Sequence, residues 1–244
     1  TLTCNGTTDF YNLILNKGSD QTFKLTIYST AYSSFRLFGA NIAGGDTPGS
    51  NPNLKKALWV RTGSLVLQGL TIIPSLSEGL CDGNPNSDFF VPANGALILD
   101  GPEVVILSTS DDYREVNVAY GVAAPNNATI GITQGGCSSF SLYGKLQIND
   151  GYFSTRESGG FITWDQASGQ FELKGGTVDA KQFRAAGGAG GLASYVQSGG
   201  TLYLRGQFQR TPTQYTTVSN LTNVTTATLY VERFVTCCCT GKGK

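Results

Sequence analysis

Apolar and polar residues alternate with a period of two along much of the chain, and glycine punctuates the alternation. The sharpest form is a short phrase: Gly, any residue, apolar, any residue, apolar, then a turn residue. It reads Gly144-Lys145-Leu146-Gln147-Ile148-Asn149-Asp150-Gly151, and it recurs from Gly169 (Phe171, Leu173) and from Gly200 (Leu202, Leu204). Two earlier copies start at Gly63 (Leu65, Leu67) and Gly95 (Leu97, Leu99). Residues two apart lie on one face of a strand. Leu146 and Ile148 therefore point one way, and Lys145 and Gln147 the other. The flanking glycines permit φ > 0 and so a sharp entry and exit. Strands this short are not stable alone and must stack on copies of themselves. The central apolar residues Leu65, Leu97, Leu146, Phe171 and Leu202 are expected to align in columns through a core. The expected fold is all-β, a parallel β-helix (β-solenoid) with atypical terminal strands. The alternative is an antiparallel β-sandwich with glycine turns. On either reading the paired apolar residues of the five phrases are core, while Lys145, Gln147, Glu172 and Tyr203 face outward.

The phrases divide the chain. Residues 1–56 read as N-terminal strands or a cap, with Phe23-Lys24-Leu25-Thr26-Ile27-Tyr28 alternating cleanly. Residues 57–209 carry the repeats. Residues 210–244 hold a C-terminal strand around Thr228-Leu229-Tyr230-Val231 and a cysteine-containing tail. No segment has a convincing helical period, and only residues 181–186 suggest a helical turn.

Composition narrows the function. The chain has 244 residues with 32 glycines, 14% charged residues, and equal numbers of acidic and basic groups. With net charge zero and no basic stripe, nucleic acid is not an expected partner. No apolar run approaches the ~18 residues of a membrane span. Methionine is absent altogether, which suggests a processed protein or a fragment. Four N-x-Ser/Thr triplets, at Asn5, Asn127, Asn220 and Asn223, are possible glycosylation sites and fit an extracellular location. Six cysteines, Cys4, Cys81, Cys137, Cys237, Cys238 and Cys239, leave two readings open: disulfides, or reduced buried thiols. They form no CxxC pair for zinc.

The five phrases resemble the repeats of right-handed parallel β-helix proteins, a group spanning pectate-lyase-like enzymes and autotransporter-type passenger domains. The variant Ser198-Gly199-Gly200-Thr201-Leu202-Tyr203-Leu204-Arg205-Gly206 is most similar to the repeats of large bacterial surface and filament adhesins. The resemblance covers residues 57–209. It implies a stalk or fibre whose contacts lie on loops or ends, and it transfers no binding residue.

Histidine is absent, so Ser-His-Asp and Cys-His nucleophile systems cannot be assembled. The Gly-His-Gly segment of pectate-lyase-like hydrolases is missing too. Lyases of that fold use acidic calcium ligands and an Arg or Lys base. Asp111, Asp112, Glu115, Asp150, Asp165, Asp179, Lys181 and Arg184 supply such groups, with Asp111, Asp112 and Glu115 the densest acidic cluster. A carboxylate-dependent polysaccharide lyase or glycoside hydrolase is thus the alternative to a structural or adhesive protein. Turn aspartates such as Asp100 and Asp150 have a simpler explanation in bonding their own backbone. The run Gly188-Ala189-Gly190-Gly191-Leu192-Ala193 matches a dinucleotide fingerprint but lacks its strand, helix and distal acid. No cofactor is expected. Tyr152, Trp164, Tyr195, Tyr203 and Tyr215 are candidates for a carbohydrate-binding surface. The expected partners are other copies of the chain, or neighbouring segments of a longer fibre, and carbohydrate.

Overall fold

The computed structural model describes residues 1–10, 13–37, 58–73, 89–107, 140–155, 161–164, 168–180, 182–185, 194–204, 208–209, 221–223 and 228–231. It is all-β, with no helix among the described residues. The first group of strands is β1 (Leu2–Cys4), β2 (Thr8–Phe10), β3 (Leu13–Asn16), β4 (Lys24–Ser29) and β5 (Phe35–Leu37). β6 (Leu58–Gly69), β7 (Ile72–Ile73), β8 (Phe89–Val91) and β9 (Gly95–Leu107) follow. Next come β10 (Phe140–Leu142), β11 (Lys145–Thr155), β12 (Phe161–Trp164), β13 (Gln170–Leu173), β14 (Thr177–Ala180) and β15 (Gln182–Ala185). The last are β16 (Ser194–Gln197), β17 (Thr201–Leu204), β18 (Phe208–Gln209), β19 (Leu221–Asn223) and β20 (Thr228–Val231). β15 occupies the stretch expected to form a helical turn; Phe183 points into the core, and parallel neighbours on both sides hold the segment extended.

A 13-stranded sheet runs β1-β4-β6-β9-β11-β13-β16-β19, with β14, β17 and β20 continuing from the second half of β11. A five-stranded sheet runs β18-β15-β12-β10-β8. Every strand pair among the described residues is parallel, including β1 with β4, β6 with β9, β13 with β16 and β15 with β18. An antiparallel sandwich has no place in that pattern. Parallel neighbours need a crossover between them, and the chain provides one by rotation. It passes from β10 in the smaller sheet through both halves of β11 and on to β12 in the smaller sheet. β13, β14 and β15, then β16, β17 and β18, repeat the circuit. This arrangement is compatible with a parallel β-helix.

Register turns the repeated phrase into columns. Leu25 pairs with Leu65, Leu65 with Leu97, Leu97 with Leu146, Leu146 with Phe171, and Phe171 with Tyr195. Two residues along, Ile27, Leu67, Leu99, Ile148 and Leu173 form a second inward column. All ten phrase residues expected in the core have no measurable exposure. The Gly200 phrase, however, stands elsewhere. Leu202 pairs with Val178, which pairs with Phe153, so this copy belongs to the strands after the bend. Tyr195 takes the place expected for Leu202.

The bend between the two halves of β11 explains the glycines there. Gly151 has φ of 108° and Gly176 has φ of 68°, a region that side chains with a Cβ rarely enter. A Cβ on Gly151 would come within 2.6 Å of the Val104 carbonyl oxygen on the neighbouring strand.

Inside the stack the large residues interlock. Phe140 meets Phe153 edge to face at 5.0 Å. Phe171 meets Phe183 edge to face at 5.1 Å and stacks on Tyr195 at 5.2 Å. Offset and edge-on contacts of this kind add to the burial itself. The alternation gives a direct test. Leu173→Ala should cost about 2–5 kcal/mol, whereas Glu172→Ala removes only partly exposed ion pairs worth about 0–1 kcal/mol. Equal losses in thermal unfolding would contradict the register.

Candidate functional site

Two clusters of polar side chains face outward from the large sheet. The first follows from register. Gln68, Asp100 and Asn149 lie at the ends of neighbouring strand segments, just before the bend. Gln68 Nε2 donates to Asp100 Oδ2 at 2.7 Å, and Asn149 Nδ2 donates to Asp100 Oδ1 at 2.8 Å. Gln147 Nε2 donates to Asn149 Oδ1 at 2.7 Å and extends the ladder. One strand further, Glu172 is held by Lys145 Nζ at 2.6 Å and Lys174 Nζ at 3.1 Å. Tyr28, 42% exposed, stands in register with Gln68 at the other end of the row.

The hydrogen bonds from Asn149 and then Gln68 hold the Asp100 carboxyl below its ordinary range. Partial burial works against ionisation of Glu172, but the bonds from Lys145 and Lys174 outweigh it and leave its pKa lowered. A carboxyl depressed in the folded state stabilises the fold above its unfolded pKa, near 4. That contribution is lost as pH falls through the depressed folded value. Unfolding temperature should therefore fall below about pH 4, and Asp100→Asn should fall less steeply than wild type over the same window. Parallel curves would show that Asp100 is not linked to folding.

The second cluster lies after the bend. Ser154, Asp179 and Tyr203 follow one another across β11, β14 and β17. Ser154 is fully buried and Asp179 is 5% exposed. Tyr152 Oη donates to Asp179 Oδ2 at 3.1 Å. The Tyr152 phenol and the Asp179 carboxylate thus meet on the face of the sheet opposite Val178, with Ser154 in register beside Asp179 and both Ser154 and Asp179 buried.

Three residues singled out from sequence, Tyr152, Asp179 and Tyr203, are brought together here. Tyr203 is half-buried and stands in register with Asp179 and Tyr230. Tyr195 is no surface platform. It is 3% exposed inside the core, donates to Gln197 Oε1 at 2.8 Å, and burial pushes its hydroxyl pKa up. Asp150 lies at the bend within β11, not in a separate turn, and accepts from the Gly151 amide at 2.8 Å. Cys4 is a free thiol, 1% exposed, packed in the core; the disulfide weighed for it is not formed. Asn5 is exposed just after β1, and Asn223 closes β19. Asp111, Asp112, Glu115, Asp165, Lys181, Tyr215, Asn127, Asn220, Cys81, Cys137, Cys237, Cys238 and Cys239 lie outside the described residues, as does the glycine run at 188–191.

Among the described residues no group of three or more His, Cys, Asp or Glu side chains could hold a metal ion. No described helix is long and apolar enough to cross a membrane. Comparison with protein-family models, with curated proteins and with solved structures returns no match.

Proposed function

We propose that the chain is a β-solenoid segment of an extracellular surface fibre, with a structural or adhesive role. The observation that carries this reading is the inward column from Leu25 through Leu65, Leu97, Leu146 and Phe171 to Tyr195, unbroken across six parallel strands. Such a stack is a rigid, extendable rod, because each layer contacts only its neighbours. The carboxylates also fit a scaffold. Asp100 accepts from two amides and Glu172 from two ammonium groups, so both are engaged in holding adjacent strands together. An adhesive contact with carbohydrate falls on the row that begins at exposed Tyr28 and continues through Gln68 and Asp100.

Immunogold labelling of intact producing cells tests the location and the role together. Label along surface fibres is the expected outcome; label confined to the cell interior would overturn the proposal. On a glycan array, any signal should drop at least tenfold in Tyr28→Ala.

A further inference from the structure

Among the described residues, the N-terminal end of the stack presents strand edges on three sides. β1 pairs with β4, β2 with β5 and β3 with β6, and each is the terminal strand of its series among the described residues. One residue from each of these strands, Leu2, Phe10 and Leu13, packs against the core yet is only partly buried. Three strand edges therefore surround an apolar end face. An unprotected edge of this kind is a template for another strand.

The backbone shows which groups are on offer. Thr30 N donates to the Cys4 carbonyl at 3.1 Å, so Cys4 turns its backbone groups toward β4. Backbone groups of successive residues in a strand alternate sides. The Thr3 N–H and C=O therefore point away from β4, toward the open edge.

We infer that this end is a joint for the opposite end of a second copy of the chain, whose terminal strands are β18, β19 and β20. Those strands pair on one side only among the described residues, with β15, β16 and β17. Strand polarity selects them. Head-to-tail contact continues the parallel pairing used at every described strand pair. Two N-terminal ends facing each other would oppose their strands and close as a two-fold dimer. Head-to-tail contact is heterologous and does not close, so it builds a filament. The inference rests on the fibre reading and supplies its joint.

The test is sedimentation velocity of the full chain over a concentration series, with electron microscopy of the same samples. Thr3→Pro removes the outward N–H and leaves the β1–β4 bonds in place; proline is tolerated on an edge strand. Thr3→Val keeps the N–H and serves as its control. Leu13→Lys places a charge on the apolar end face by an independent route, and decides the matter if Thr3→Pro fails to fold. Wild type and Thr3→Val should form polymers, while Thr3→Pro and Leu13→Lys need at least tenfold higher concentration to do so. A wild-type monomer at every concentration, a dimer that grows no further, or polymers indifferent to both variants would each overturn the joint. A monomer that still labels surface fibres removes the joint alone, whereas label confined to the cell interior removes the fibre reading whatever the ultracentrifuge shows.

Discussion

Phe171→Ala is expected to lower the unfolding free energy by about 3–5 kcal/mol. Phe171 has no measurable exposure and stands at the crossing of two sets of contacts. Along its column it meets Leu146 and Tyr195 on the neighbouring strands. Across the core it meets the Phe183 ring at 5.1 Å, and Phe183 also meets Tyr195 edge to face at 5.9 Å. Removing the ring leaves a hole bounded by strands fixed through their own backbone ladders, so collapse around it is limited. The loss is a large share of the roughly 5–15 kcal/mol that holds a typical domain together. Thermal unfolding followed by circular dichroism should show a markedly lower midpoint, with Phe171→Leu in between. A midpoint within a degree or two of wild type would mean that the ring is not in the core.

A larger effect is expected at the bend. Gly176 has φ of 68°, and a Cβ built on it would lie 2.6 Å from the Gly151 backbone nitrogen. The left-handed backbone alone costs an L-residue about 1–2 kcal/mol. The clash falls on backbone rather than on a side chain that could swing away. Gly176→Val should therefore abolish soluble, folded protein. Gly6→Ala is the control, since nothing lies within 4 Å of a Cβ there, and it should express and melt as wild type does. Folded Gly176→Val protein with an unchanged sheet spectrum would contradict the bend.

These positions show what could be read from the sequence and what could not. The glycine phrase located the inward pairs correctly because period-two alternation is a local property. It misplaced the Gly200 copy because glycine is needed twice per circuit. Gly63, Gly95, Gly144 and Gly169 each stand two residues before the first column residue of their strand, whereas Gly151, Gly176 and Gly200 sit at the bend. A phrase beginning with glycine looks the same in both places. Tyr195 was misread for a related reason. Its strand puts Val196 outward and the polar Gln197 inward, and the buried bond from Tyr195 Oη to Gln197 compensates. That inversion cannot be seen without the partner strand. The smaller sheet was not legible as a sheet, since its strands run only from two residues (β18) to four (β12 and β15). The pairing of Tyr152 with Asp179 depends on the register of β11 with β14, in which Tyr152 sits opposite Thr177. Both residues were legible as candidates, but their meeting was not.

The central claim is that strands distant in sequence stack one per layer in a single direction. Distances between spin labels measure this directly. Thr26, Val66, Ile98, Gln147, Glu172 and Val196 form one outward column. With parallel strands about 4.8 Å apart, labels at positions 26 and 172 should lie about 19 Å apart at the backbone, and labels at 26 and 196 about 24 Å apart. The labels are attached by a chemistry that spares cysteine, since the chain has six. A double electron–electron resonance series in which the separation grows by about one strand spacing per layer is the predicted result. Distances that fail to increase from position 172 to position 196 would contradict the stack.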